Sequence, residues 1–135
     1  MKKSKYNSKK VTPSMITFDS KVEGEYYKKL ICDFSLKKIN SFKNQPIYTL
    51  QDGFIGPNGK IRAITYKADF EVVHLDGTIE VIDIKGMATE VANIKRKLFL
   101  WTYNDIKLTW ISYVKKYGGW IDYFELKKLR RKNKK

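Results

Sequence analysis

Two apolar periods alternate along the chain. From Ser20 to about Lys38, Val22, Tyr26, Tyr27, Leu30, Ile31 and Phe34 recur at helical spacing, and Ser20 can cap the start. Asn44-Gln45-Pro46 breaks the chain before Ile47-Tyr48-Thr49-Leu50, a short strand, and Gly53 to Gly59 predicts a turn or loop. Ile61 to His74 is rich in β-branched and aromatic residues and predicts one long strand; Asp76-Gly77 is a hairpin signal, and Thr78 to Ile84 is the returning strand. After Gly86, Thr89 to Tyr103 predicts a second helix with Val91, Ile94, Leu98 and Trp101 on one face. Ile106 to Val114 predicts another strand, Gly118-Gly119 a break, and Trp120 to about Arg131 a last helix. That order predicts an α/β domain in which a central mixed sheet is flanked by helices.

Polar residues interrupt this pattern at four places. Glu23 falls near the middle of the apolar arc of the first helix, where a carboxylate needs a partner. Ser20-x-x-Glu23 is also a capping box, so a site and a cap both explain it. Asp69 and Asp83 lie inside otherwise apolar strands, which disfavour Asp. A two-residue Asp76-Gly77 loop would leave them on opposite faces. A three-residue Leu75-Asp76-Gly77 loop, with Gly77 left-handed, pairs His74 with Thr78 and sets Asp69 directly opposite Asp83. Ala68, Phe70, Val72, Ile82 and Ile84 then share the other face as core, which favours the longer loop. Opposed carboxylates repel, so the arrangement makes sense with a cation between them. Lys85, two residues after Asp83, points to the same face. Two carboxylates and a lysine on one sheet surface suit phosphodiester hydrolysis assisted by Mg²⁺.

Composition narrows the field. The chain has 135 residues, suited to one domain, and its 42% hydrophobic and 14% aromatic content excludes a disordered polycation. Of its net +14 charge, most sits at the two ends: residues 1–10 carry five lysines and 127–135 carry seven basic residues, neither with any acid. The expected organisation is a basic arm over 1–14, a folded domain over 15–126 and a basic tail over 127–135. Such blocks suit salt-sensitive contact with nucleic acid, although solubility or attraction to ribosomes or anionic membrane would also explain them. The single Cys32 excludes a disulfide framework and a cysteine-based zinc site. No run approaches the ~20 apolar residues of a membrane span, so a soluble intracellular domain is expected. His74 at the hairpin end reads as structural, and Trp101, Trp110 and Trp120 as core. No Walker loop, dinucleotide fingerprint or helix-turn-helix is visible.

A Glu on the first helix, then Asp, then (Asp/Glu)-x-Lys across a hairpin, then a helix, resembles the PD-(D/E)XK nuclease superfamily. More narrowly, Phe18-Asp19-Ser20-Lys21-Val22-Glu23, Gln45-Pro46, Tyr66-Lys67-Ala68-Asp69-Phe70, Asp83-Ile84-Lys85-Gly86 and Lys95-Arg96-Lys97-Leu98-Phe99 resemble a family of small phage and prophage proteins placed there. The likeness runs from about Phe18 to Ile111. It implies a restriction-endonuclease-like core and Mg²⁺- or Mn²⁺-dependent DNA cleavage. Asp69 and Asp83 would hold metal, Lys85 would be catalytic, and Glu23 would complete the site through a water. Ala68 stands where the superfamily's name has Pro, and Asp83 replaces a Glu, which shortens its reach. Lys95 and Lys97 can touch phosphate or line a solvated helix face, and Lys127, Lys128, Arg130 and Arg131 of the tail would contact DNA. The implied setting is a phage protein in the bacterial cytoplasm, acting in recombination, replication or packaging, with branched junctions as a narrower substrate. A two-fold homodimer would place one site on each strand. No membrane and no nucleotide cofactor are expected. The competing expectations are a non-catalytic DNA-binding accessory protein on the same fold and a structural or host-takeover protein.

Overall fold

In the computed structural model, which describes residues 21–133, helix α1 (Lys21–Ser35) buries Tyr26, Tyr27 and Leu30 and ends where Lys37 turns left-handed at φ 58°. Strands β1 (Ile39–Asn44), β2 (Ile47–Gln51), β3 (Phe54–Gly56), β4 (Gly59–Ile61), β5 (Ile64–Lys67), β6 (Phe70–His74) and β7 (Ile79–Ile84) follow. Helix α2 (Glu90–Thr102) leads to β8 (Lys107–Val114), a 3₁₀ turn at Lys115–Tyr117, β9 (Gly119–Asp122) and helix α3 (Tyr123–Asn133). The architecture is mixed α/β in a single domain. Its main sheet has the order β1-β6-β7-β8-β9; β7 and β8 are parallel, joined through α2, and the other neighbours are antiparallel. Two ribbons, β2-β5 and β3-β4, stand apart from it.

The sheet separates two cores. On one face α1 covers Phe70, Val72 and Ile82 with Tyr26, Tyr27 and Leu30. On the other, α2 presses Phe99 onto Tyr66, Ala68 and Val81. Phe70 and Phe99 are fully buried, and side chains of that size each contribute roughly 1.5–3 kcal/mol.

The hairpin adopts the longer loop. Phe70 pairs with Ile82 and Val73 with Ile79, the His74 amide donates to the Thr78 carbonyl at 2.9 Å, and Gly77 has φ 88°. Asp76 closes the turn by accepting from the Thr78 amide at 3.0 Å. Continued one residue beyond the ladder, this register sets Asp69 opposite Asp83.

Elsewhere the expectations need correction. The long strand from Ile61 to His74 is three strands, broken at Arg62-Ala63 and again at Ala68-Asp69, where the Gln45 amide caps the Asp69 carbonyl at 2.8 Å and the Ala68 amide donates to Pro46 at 3.0 Å. Past that bend the chain changes partner from β2 to β1, and Ala68 packs in the core under α2 rather than with Phe70. The expected loop at Gly53 to Gly59 holds β3 and starts β4, and polar β1 was not anticipated. Trp120 lies in a strand, and the last helix starts only at Tyr123. Residues 127–133, where the last helix was expected to grade into the basic tail, are helical to Asn133, since Tyr123 and Leu126 bury the first turns of α3 and Lys and Arg are good helix formers. The second helix turns its expected face outward: Val91, Ile94 and Trp101 are exposed while Phe99 is buried. Trp110 is core as expected, whereas Trp101 is not. The arm at 1–14 and the Ser20 cap lie outside the described residues.

Candidate active site

The bend before β6 and the end of β7 meet at one edge of the sheet. Asp69 Oδ2 accepts from the Ile84 amide at 2.8 Å, which ties the first carboxylate to the strand carrying the second. Asp83 is only 4% exposed. Its Oδ2 accepts from the Tyr66 hydroxyl at 2.6 Å and lies 3.3 Å from Lys85 Nζ. Tyr66 in turn accepts from Trp110 Nε1 at 2.9 Å. Trp110 is the parallel register partner of Asp83 on β8, so the strand pairing itself delivers the indole to this chain of bonds. Lys85 is held at both backbone ends: its amide donates to Ile111 at 2.7 Å and its carbonyl accepts from Ser112 Oγ. The ammonium lies 5.0 Å from the centre of the Trp110 ring, a distance at which a cation is attracted to the aromatic face.

Electrostatics reports how crowded the acids are. Burial, then the charge of Asp83, pushes the Asp69 carboxyl well above the usual carboxylate range; Glu23 adds to the rise, and the Ile84 amide opposes it. Glu23, half-buried in the first turn of α1, therefore acts on the same site from the other side. Burial, followed by the charge of Asp83, raises Tyr66 far beyond neutrality. It remains a neutral hydroxyl that donates to the carboxylate.

This donor set fits a hard divalent cation. The buried Asp83 and the half-buried Asp69 face each other and repel, and Mg²⁺ needs only one or two carboxylates besides waters and phosphate oxygens. Among the described residues no group of three or more His, Cys, Asp or Glu is placed to hold a metal, so the fit is that of an open two-carboxylate site.

Basic residues approach from α3. Arg130 and Lys85 line one cavity of about 320 Å³, together with Val22, Ser112 and Leu126. A neighbouring hollow of about 380 Å³ lies between Gly86–Ala88 and α3, where Lys127, Arg130 and Arg131 line it and the Tyr123 hydroxyl accepts from the Ala88 amide at 3.1 Å. Lys128 belongs elsewhere on the helix, 3.9 Å from Glu125. Lys95 is half-buried and Lys97 exposed on α2, and neither lines these cavities. His74 pairs with Glu80 at 2.8 Å, as a structural residue would.

Asp69, Asp83 and Lys85 are thus drawn together, with Arg130 lining the cavity beside Lys85, while Glu23 reaches Asp69 through its charge. Tyr66, Trp110 and Ser112 were not anticipated. Parity along β8, which puts Trp110 and Ser112 on the face of Asp83 and Lys85, is the signal that could have found two of them. Arg96 was also missed; it lies 4.5 Å from the Phe124 ring centre and 5.6 Å from that of Trp110, linking α2 to α3.

Residues 3–119 match the family described as Protein of unknown function (DUF1064), and the chain belongs to that family. No curated protein and no solved structure matches it.

Proposed function

We propose that this protein is a metal-dependent DNA endonuclease with a restriction-endonuclease-like core. The observation that carries the reading is the facing pair Asp69 and Asp83, with Lys85 Nζ 3.3 Å from Asp83. A structural role does not call for two crowded acids that repel, whereas a cation site does.

A bound Mg²⁺ or Mn²⁺ supplies charge neutralisation and a more acidic water. The remaining work falls to the chain. Asp83, fixed by Tyr66 and Lys85, presents its carboxylate without room to rotate. Lys85 donates toward the phosphate or the attacking water, and Glu23 can accept a proton from that water across the site. One water oxygen bonds to phosphorus as one P–O ester bond breaks; the leaving oxygen takes a proton, giving a phosphate end and a hydroxyl end. Arg130, Lys127 and Arg131 hold neighbouring phosphates through charge, a contact that fixes position without reading sequence. Lys95, Lys97 and Lys128 stand apart from that path. Duplex or branched DNA inside a phage-infected cell is the setting this reading favours.

The test is cleavage of a labelled panel of linear duplex, single strand, flap and four-way junction, with Mg²⁺, Mn²⁺ or EDTA. Metal-dependent cutting by the wild type that Asp83→Ala abolishes is the expected result, and the preferred substrate names the class. Binding without cutting under either metal overturns the enzyme and leaves the accessory protein in its place.

A further inference from the structure

Helix α2 carries two apolar stripes, and only one is used. Phe99 faces the sheet with no exposure. Val91, Ile94 and Trp101 are 62%, 57% and 83% exposed, and Leu98 lies half-buried between them. In the turn ahead of the helix, Met87 is 88% exposed. Within the helix, positions 91, 94, 98 and 101 are spaced three, four and three apart, the heptad spacing with which one helix receives another, and Met87 precedes them in the turn. A stripe of this kind without a basic residue in it does not suit DNA, and exposed apolar patches of this size mark interaction sites.

The flanks indicate what covers it. Glu90 and Lys97 are seven residues apart and therefore on the same side of the stripe, with opposite charges. An antiparallel second copy of α2 lays Val91 against Ile94 of the other helix and brings Leu98 to the turn that carries the other Met87. It also sets each Glu90 beside the other Lys97. A parallel copy would instead set each Glu90 beside the other Lys95 and leave Lys97 beside Thr102, without a charged partner. The stripe is thus self-complementary under a two-fold axis, the requirement for a symmetric dimer. Residues 1–20 are the competing cover, but they join the described chain at Lys21, the start of α1, which packs on the opposite face of the sheet.

We infer that the outer face of α2 is a homodimer interface, formed by antiparallel pairing of Met87, Val91, Ile94, Leu98 and Trp101 across a two-fold axis. The interface does not depend on the carboxylate site, so it stands or falls separately from the nuclease reading.

Sedimentation equilibrium on the full chain tests it. The wild type is expected to be a dimer at micromolar concentration. Ile94→Glu or Trp101→Glu is expected to weaken the dimer at least about thirtyfold, as loss of an interface hot spot does, with the far-ultraviolet circular dichroism unchanged. Glu90→Lys and Lys97→Glu singly are expected to weaken it roughly fivefold, and the double reversal to restore it. A wild-type monomer at 100 µM overturns the inference, and if its Trp101 is shielded from a quencher, residues 1–20 are the cover. A dimer indifferent to both glutamate substitutions, or a double reversal that fails to restore it, also overturns the inference. DNA cleavage, measured separately, decides the other question.

Discussion

Strands β6 and β7 carry acids at both ends, and the two ends are built on opposite terms. Near the hairpin, Glu80 is surrounded by donors: His74 Nε2 at 2.8 Å, Thr109 Oγ1, and Lys107 Nζ at 3.8 Å. Its charge is balanced where it stands. At the other end Asp69 and Asp83 face each other, with Glu23 adding to the same field. Lys85 and Tyr66 hold Asp83, but no cation lies within ion-pair distance of Asp69 among the described residues. The first arrangement stabilises the fold. The second opposes it and leaves carboxylate oxygens available to something from solution. An acid placed among donors is architecture, while acids placed against each other point to chemistry.

The strongest way to break this comparison is to neutralise one acid from each end. Asp83→Asn keeps the shape and is expected to remove metal-dependent cleavage by more than about 10²-fold, beyond the range seen when only supporting contacts are lost. Glu80→Gln is expected to cut at the wild-type rate. It should instead lose up to about 1 kcal/mol of stability, because half-exposed donors around it lose a charged partner. Single-turnover cleavage and urea unfolding of both variants measure this. Equal effects of the two substitutions on cleavage would erase the distinction.

A smaller effect is expected one bond further out. Tyr66→Phe deletes the hydroxyl that donates to Asp83 and accepts from Trp110, without changing the ring packed on Phe99. Cleavage should fall about 10- to 100-fold, the range for residues that orient a metal ligand. The apparent affinity for Mn²⁺, followed by titration calorimetry, should weaken in the same variant. A Tyr66→Phe protein with unchanged Mn²⁺ affinity would reduce the tyrosine to core packing.

Much of this site could be read before any coordinates. Alternation along the hairpin, with Gly77 free to turn left-handed, was sufficient to face Asp69 with Asp83, because a slip of one residue would have buried the wrong face. Glu23 announced itself by interrupting an apolar arc. Tyr66 and Trp110 were hidden because they reach Asp83 through a strand break at Ala68 and through a parallel pairing across α2, both tertiary facts. The polar sequence of β1 concealed a strand that exists through pairing with β6 and carries a bulge between Ile39 and Ser41. For α2 the period was right and the face was wrong. Two apolar stripes compete on that helix, and the choice of Phe99 for the core is made by the Tyr48, Tyr66 and Tyr103 rings around it.

The smallest expected effect is also the most direct reading of the repulsion. In the metal-free protein Asp69 has its carboxyl raised by burial and by Asp83, so the folded state holds a proton that the unfolded chain releases near pH 3.9. Stability from this group is fully present below that pH and is lost as pH rises toward the raised value. Other ionisable groups also contribute to the pH dependence, so the wild-type curve alone cannot isolate this one. The difference between Asp69→Asn and wild type can. Asparagine keeps an oxygen for the Ile84 amide and removes the charge, so its advantage in melting temperature should be near zero at pH 4 and grow toward neutrality. It should reach a few degrees, each kcal/mol being worth roughly 4 °C at this size. Saturating Mg²⁺ at neutral pH should then raise the wild type and leave Asp69→Asn unmoved, narrowing or reversing the gap, because a ligand stabilises only the state that binds it. A constant difference across pH, indifferent to the cation, would mean that Asp69 and Asp83 do not feel each other's charge and would place them with Glu80.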